Sequence, residues 1–519
     1  MSFHFKAFII VLLVTMATFA IAKSPLQQFI SAKDYSVRRN AWLALTTSAF
    51  VLPNFWLFIA ATVVIVAWAS RRDSNPVALY MFLLLCVPPI REVMPGLGGA
   101  AVIVEMDHLR VLSMVVLLPL AIGMATRRRD EQDTVAPRTR VPLVAGVLIV
   151  AYQFLQLGLF FPYSSLTANL RSLVLVCFDW LLPYFVVSRY CRSKETIAEV
   201  MASFALAAFV LVPLALFEFA KGWLLYQGIE DRWGTTPMIG YLLRGDSLRA
   251  QVSAGHPIVL GFGFAIAFGF WLYLRREDSV GSWRWVGVAA LIGGLGSTLS
   301  RGPWIGALVA FFVFRAMGPG AAVRTVKSLV GLCLAILGVL VTPYAEKFIE
   351  LIPFVGSVDA ASVTYRQQIL GVTWRLIQQS PFFGTPFYMS YMEELRQGQG
   401  IIDIVNHYAA IAVSTGLIGL ALFAGAFGVL AFGCLRVSRV CSAVAPDFST
   451  MGAGLFASLV GALLILATTS FYLTIPTILY TLAALIAGYV RVGERYMSQR
   501  QGVTSAPLAM HIGQARKGF

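Results

Sequence analysis

Charge is what this sequence has least of. Its 519 residues include 25 Asp and Glu and 40 Lys and Arg, 13% in all, where soluble domains carry about 25%. A water-soluble globule of this length must cover its surface with charge, and so few charged residues exclude a soluble enzyme. The six cysteines, Cys86, Cys177, Cys191, Cys333, Cys434 and Cys441, form no CxxC and no Cys/His ligand spacing, which implies neither a disulfide framework nor a zinc site. There is no internal repeat of roughly 20 to 50 residues. The acids Asp246, Asp359 and Asp403 stand isolated, without a DxD pair, so the pattern implies no metal and no cofactor.

Apolar residues fill the chain instead, at 58% with mean hydropathy +0.77. Stretches near the ~20 residues that cross a bilayer recur from residue 7 to residue 490. They predict an all-α polytopic membrane protein of about 12 to 14 transmembrane helices. The short loops at 126–140, 189–195, 275–284 and 315–327, and the tail from Arg491, are basic. They share one side if the spans alternate, and the positive-inside rule makes that side cytoplasmic. The net charge of +15 then sets orientation, and no nucleic-acid partner is implied. The N-terminus resists this scheme. Residues 1–22, with Lys6, an apolar run and Ala20-Ile21-Ala22, partly resemble a signal sequence. If 7–22 is a span, Lys23, Lys33, Arg38 and Arg39 fall outside.

The expected organisation is an N-terminal segment at 1–49 with a possible first span, transmembrane helices at 50–220, a first extracytoplasmic loop at 221–256, helices at 257–345, a large extracytoplasmic loop at 346–407, helices at 408–490 and a cytoplasmic tail at 491–519. The stretch Trp285 to Arg315 is too long for one span, since about thirty residues make a helix of roughly 45 Å against a ~30 Å hydrocarbon core. It predicts a hairpin turning at Ser300-Arg301-Gly302-Pro303, with Arg301 at the outer tip. A charge at the tip of short apolar arms needs a partner or a cavity.

The two long loops are where function is expected. In the second, Val363, Ile369, Leu370, Trp374 and Ile377 can share one helical face, so 361–379 reads as an amphipathic helix on the membrane. Each loop ends on a histidine at a helix entrance, His256 before Pro257 and His407 before Tyr408. The loops add Arg232, Arg244 and Arg249, and Arg366, Arg375 and Arg396. Any one of these arginines can equally be read as snorkelling to lipid headgroups, and either histidine as an interfacial side chain bonded to backbone. Taken together they suit a diphosphate: guanidinium forks bind phosphate oxygens bidentately, and a neutral histidine can take a proton from an incoming hydroxyl.

Four pieces then resemble a family. SRGPWIG at 300–306, RAQVSAGHPIVLG at 249–261, the stretch from Arg366 ending SPFFG at 380–384, and Asn406-His407-Tyr408 followed by STGLIGL at 414–420 are similar to the core of the bacterial O-antigen ligase and O-antigen polymerase family. The resemblance covers about residues 240–430. It implies a GT-C-like glycosyltransferase of the bacterial inner membrane that acts at the periplasmic face. Such an enzyme takes glycan from undecaprenyl diphosphate-linked oligosaccharide without a metal. By the resemblance Arg301 and Arg366 bind the diphosphate and His407 assists the acceptor hydroxyl, while Arg249 and His256 match a segment of substrate contacts, beside Arg244 and Arg375.

The 249–261 segment favours a polymerase of exopolysaccharide or O-antigen repeat units, with a flippase and a chain-length regulator as expected partners. A ligase that moves polymer onto lipid A core is the alternative. A transporter of lipid-linked oligosaccharide is the rival of another class. It would place its polar residues near the bilayer midplane in repeated halves, whereas here they collect at one face.

Overall fold

Among the described residues of the computed structural model, eleven helices are long and apolar enough to cross a membrane. The structure describes residues 3–96, 102–126, 140–276, 281–318, 320–342, 360–396 and 402–504. Arg127, Arg128, Arg129, Arg138, Asp359 and the tail beyond residue 504 lie outside the described residues. The strands among the described residues make two small hairpins, β1 (Glu92–Pro95) with β2 (Val102–Met106) and β3 (Leu243–Arg244) with β4 (Ser247–Leu248). The chain is an all-α polytopic membrane protein.

The helices are α1 (Phe3–Leu26), α2 (Ala32–Val51), α3 (Phe55–Arg72), α4 (Pro76–Leu83), α5 (His108–Thr126), α6 (Arg140–Phe160), α7 (Leu166–Tyr190), α8 (Lys194–Lys221), α9 (Gln227–Trp233), α10 (Pro257–Leu274), α11 (Trp283–Ser297), α12 (Arg301–Ala316), α13 (Ala321–Leu340), α14 (Ala360–Gln379), α15 (His407–Cys441), α16 (Pro446–Leu466) and α17 (Ile475–Thr504). Helix α10 is the buried centre, packed by α8, α11, α12 and α16. Its run of Gly, Ala, Phe and Leu has no polar face to turn outward, so it is apolar all round.

The N-terminal misfit has a structural answer. Residues 23–49 contribute a further helix, α2, whose 20 residues span about 30 Å at 1.5 Å each. It runs back along α1: the Tyr35 hydroxyl donates to the Phe19 carbonyl, and His4 meets the Phe50 carbonyl. Lys6 therefore lies at the end of the bundle that carries α9, where His4 abuts Gly228. Arg38 lies at the other end, bonded to Asp73 after α3 and to Glu199 in α8. That is the basic end, where Arg491 also donates to the Ser188 carbonyl and Lys194 pairs with Asp447. Arg38, expected to lie apart from the basic loops, thus shares the end of the bundle that holds Lys194 and Arg491.

The predicted hairpin forms as α11 and α12, with a shifted turn. The chain reverses at Thr298-Leu299-Ser300, and Leu299 takes φ 46°. Pro303 sits in the first turn of α12, where its missing N–H costs nothing. At the crossing of α12 and α16, a Cβ on Gly461 would lie 2.7 Å from the Gly306 carbonyl oxygen, so the two backbones touch.

Helix α14 forms within a residue of its expected bounds. Ile369, Thr373, Leu376 and Ile377 are buried, against a cluster that includes Met392, Ile404 and Val413. Leu370 and Trp374 are exposed. The side chain of Val363 lies outside the described residues.

Helix α15 breaks at Gly416, with φ 69° and ψ −173°. The turn after α14 fills the break: Leu417 donates to the Pro381 carbonyl, Ile418 to the Phe382 carbonyl, and Thr385 to the Val413 carbonyl. Backbone groups freed in an apolar setting need such partners. The SPFFG and STGLIGL strings are thus two halves of one joint, and it fixes α14 against the first turns of α15.

Candidate functional site

The site is built around a segment in which the sequence pattern marks no candidate, the eight residues 467–474 joining α16 to α17. Thr468 abuts the backbone of Gly302, so closely that a Cβ there would stand 2.3 Å from its hydroxyl. Ser470 hydrogen-bonds the Asp403 carboxylate. The Phe471 ring stacks on His407, and the Tyr472 hydroxyl meets Nδ1 of His256 at 2.5 Å. One short connection therefore touches the first turn of α12 and the entrances of α10 and α15.

His256 caps α10. Its Nδ1 accepts the Ile258 N–H at 3.2 Å, which a histidine can do only with that nitrogen unprotonated. The neutral ring accordingly carries its proton on Nε2, as a donor. Burial first, and the nearby Arg249 guanidinium second, push its pKa down to about 3.

His407 begins α15 behind the Asn406 cap, whose side chain accepts the Ala409 N–H. It is 8% exposed. Phe471 lies on it at 4.1 Å between centroids, and Phe423 meets it edge-on at 5.3 Å. Its Nε2 is buried with no hydrogen-bond partner among the described residues.

Arg249 reaches the hairpin turn, donating to the Thr298 carbonyl at 3.3 Å and to the Ser300 hydroxyl at 2.9 Å. Arg244 donates to the Leu299 carbonyl at 2.6 Å. Both arginines, drawn from the first loop, thus brace the backbone that presents Arg301. Buried Glu218 organises the loop by accepting the N–H groups of Leu225, Gln251 and Val252.

Arg366 follows Tyr365 on α14, and the Tyr365 hydroxyl bonds both the N–H and the carbonyl of Asp403. This brings the α14 backbone to the segment that leads into His407. The Arg366 side chain lies outside the described residues. Arg375 is exposed and is not brought to the site. Arg232 donates to the Val51 carbonyl, and Arg396 pairs with Glu393 at the surface.

Backbone strain collects here as well. The non-glycine residues with positive φ among those described are Val252, Leu299, Val405 and Leu473. They precede His256, Arg301 and His407 by a few residues or follow Tyr472. A β-branched residue at positive φ is a genuine outlier, and such strain gathers at functional sites.

Three acids whose oxygens approach within 4.8 Å of one another, Asp34, Asp73 and Glu199, lie at the basic end of the bundle. There the Arg38 guanidinium binds two of them.

Residues 286–424 match a family model described as O-antigen ligase. The match runs from α11 into α15 and contains Arg301, Arg366, Arg375 and His407. Arg244, Arg249, His256 and the 467–474 segment fall outside it. No curated protein is matched.

Proposed function

We propose that this chain, whose residues 286–424 match a family model described as O-antigen ligase, is an inner-membrane glycosyltransferase. In this reading it transfers glycan from an undecaprenyl diphosphate carrier to an acceptor hydroxyl at the periplasmic face, without a metal. The observation that carries the reading is the convergence on 467–474 of His407, with its buried unpartnered Nε2, and of the Arg249-braced turn that presents Arg301.

The chemistry follows from the residues. Arg301 and Arg366 grip the carrier diphosphate, with Arg249, Arg244 and the Nε2–H of His256 as further donors on that side. The acceptor oxygen attacks the anomeric carbon while its proton passes to Nε2 of His407. The bond from that carbon to the diphosphate oxygen breaks, and its electron pair stays on the diphosphate, where guanidinium charge stabilises it. A positioned general base of this kind contributes about 10²–10⁴-fold.

We assign the acceptor as a second carrier-linked glycan, so the product is polymer, made beside a flippase and a chain-length regulator. In a strain lacking the gene, accumulation of single lipid-linked repeat units supports this assignment; accumulation of long lipid-linked polymer makes the protein a ligase acting on lipid A core. Complementation with Arg301→Ala, Arg366→Ala and His407→Ala, each scored for polymer on gels, tests the enzyme reading. Wild-type polymer from all three refutes it.

A further inference from the structure

A second feature opens on the far side of Phe471 and Tyr472, in a part of the chain where the sequence pattern marks no candidate. It is a cavity of about 550 Å³ between the β1–β2 hairpin, α5, α6, α7 and the start of α17. That volume lies within the range of ligand sites, roughly 300–1,000 Å³.

Its polar wall is made of acids held in place by arginines. Arg110, 3% exposed, donates through Nε and Nη2 to Asp179 and through Nη1 to the Glu105 carbonyl. Arg91 donates to Asp107, which is 1% exposed and also caps α5. Three carboxylates (Glu105, Asp107, Asp179) against two guanidiniums (Arg91, Arg110) leave the lining one negative charge in excess. Arg110 is committed to protein acceptors. The cavity therefore repels phosphate and offers carboxylate oxygens to ligand donors.

The remaining walls are aromatic and uncharged. Trp180, Phe160, Phe471 and Tyr472 supply aromatic rings, and Gln156, Ser172 and Asn169 supply neutral hydrogen-bonding groups. Asp179 and Trp180 both stand on a π-helical turn, Cys177–Leu181, and a second such turn, Ser113–Leu117, follows Arg110 in α5. A π turn inside an α-helix is rare and frequently marks a functional site.

We propose that this cavity binds the acceptor glycan through a sugar unit without acidic substituents. Carboxylate oxygens accept its hydroxyl or amino donors, and the Trp180 face packs on its C–H surface. Phe471 is shared between this cavity and His407, so a sugar held here presents its hydroxyl toward the base, while the carrier diphosphate approaches from the Arg249–Arg301 side. The proposal rests on the transferase reading and adds a separate acceptor subsite to it.

The test uses the full-length protein in nanodiscs and two probes: the host's repeat-unit oligosaccharide freed from its lipid by mild acid, and sugar-free undecaprenyl diphosphate. Ser172→Trp fills the cavity without touching either ion pair, and Gln156→Leu is a milder second variant if the first fails to fold. The expected result is that the oligosaccharide binds wild type and Arg301→Ala alike, and at least tenfold more weakly to the cavity variants. Undecaprenyl diphosphate shows the reverse pattern, weakened by Arg301→Ala alone. Unchanged oligosaccharide binding in folded cavity variants, or no binding to wild type, overturns the subsite. Absence of transfer by wild-type protein supplied with the lipid-linked donor counts against the transferase reading instead, whatever the oligosaccharide does.

Discussion

The Phe471 ring lies nearly flat on the imidazole of His407, 4.1 Å between centroids and 19° between planes. Phe423 closes another side edge-on. An imidazole clamped between rings keeps one orientation without a carboxylate partner, and no carboxylate bonds it among the described residues. His407 thus resembles a base aimed by packing alone.

If packing aims His407, then Phe471→Ala loosens the ring without removing it. The expected outcome is a fall of about tenfold in the transfer rate, less than the 10²-fold or more expected of His407→Ala, with carrier affinity unchanged. Turnover and carrier titration in proteoliposomes separate these effects. A rise in carrier KM at constant turnover would falsify the positioning role.

Arg249 and Arg301 test whether fork geometry or charge matters. Arg301→Lys keeps the charge and loses the planar pair of donors, so carrier binding weakens by roughly tenfold or more. Arg249→Lys keeps a charge near His256 but cannot reach both the Thr298 carbonyl and the Ser300 hydroxyl. It should weaken carrier binding and also lower thermal stability. Titration of undecaprenyl diphosphate and melting curves on the same preparations check both.

The hairpin, α14 and the two histidine entrances were legible in the sequence because each rests on a local signal: a run too long for one span, an amphipathic period, a histidine at the edge of an apolar stretch. Helix α2 was not legible, because Asp34, Arg38 and Arg39 make it look like a loop. Its Arg38 is tolerated only through Asp73 and Glu199, which are 35 and 161 residues away. The 467–474 segment reads as part of the apolar run at 408–490, and Phe471 and Tyr472 gain meaning only from partners more than 60 residues away. The contacts of Ile369 and Leu376 with Ile404 and Val413 have a similar origin, because they join α14 to residues well away in the chain.

His256 gives a pH prediction with a definite sign. The unfolded chain protonates this ring near 6.5, whereas the folded protein resists protonation down to about 3. The unfolded state therefore binds more protons in that window. The stability contributed by the neutral ring is full above 6.5 and is lost as pH falls from 6.5 toward 3. His256→Asn keeps a capping oxygen for Ile258 and should flatten the dependence, by about 1–2 kcal/mol at pH 5 relative to wild type. Melting temperatures in detergent at pH 8 and pH 5 measure it; equal pH slopes for both proteins count against the assignment.

Gly416 holds the joint between α14 and α15. Its φ is 69°, and a Cβ there would lie 2.1 Å from the Phe382 carbonyl oxygen, backbone that cannot swing away as a side chain can. Gly416→Ala should destabilise by about 2–4 kcal/mol through strain and lost partners for Leu417 and Ile418. Because the joint orients the first turns of α15, activity should fall even at temperatures where the variant remains folded. Gly428, later in the same helix, is the control, because a Cβ added there would meet nothing within 4 Å. Gly428→Ala should leave both readouts near wild type.

Arg38 is the test of the N-terminal helix pair. It is fully buried, with Asp73, Glu199 and the Ser203 hydroxyl as its partners. Removing one member of a buried ion pair leaves uncompensated charge and costs about 3–5 kcal/mol, so Arg38→Met should unfold the basic end or lower the melting temperature sharply. The cost comes from stranded carboxylates, chiefly Asp73, whose pKa burial pushes up and Arg38 holds down. Adding Asp73→Asn to Arg38→Met should therefore recover part of the loss, whereas Asp73→Asn alone should destabilise. Were Arg38 instead exposed in a polar extracytoplasmic segment, where the first-span scheme would put it, Arg38→Met would leave the melting temperature nearly unchanged and the double variant would show no rescue.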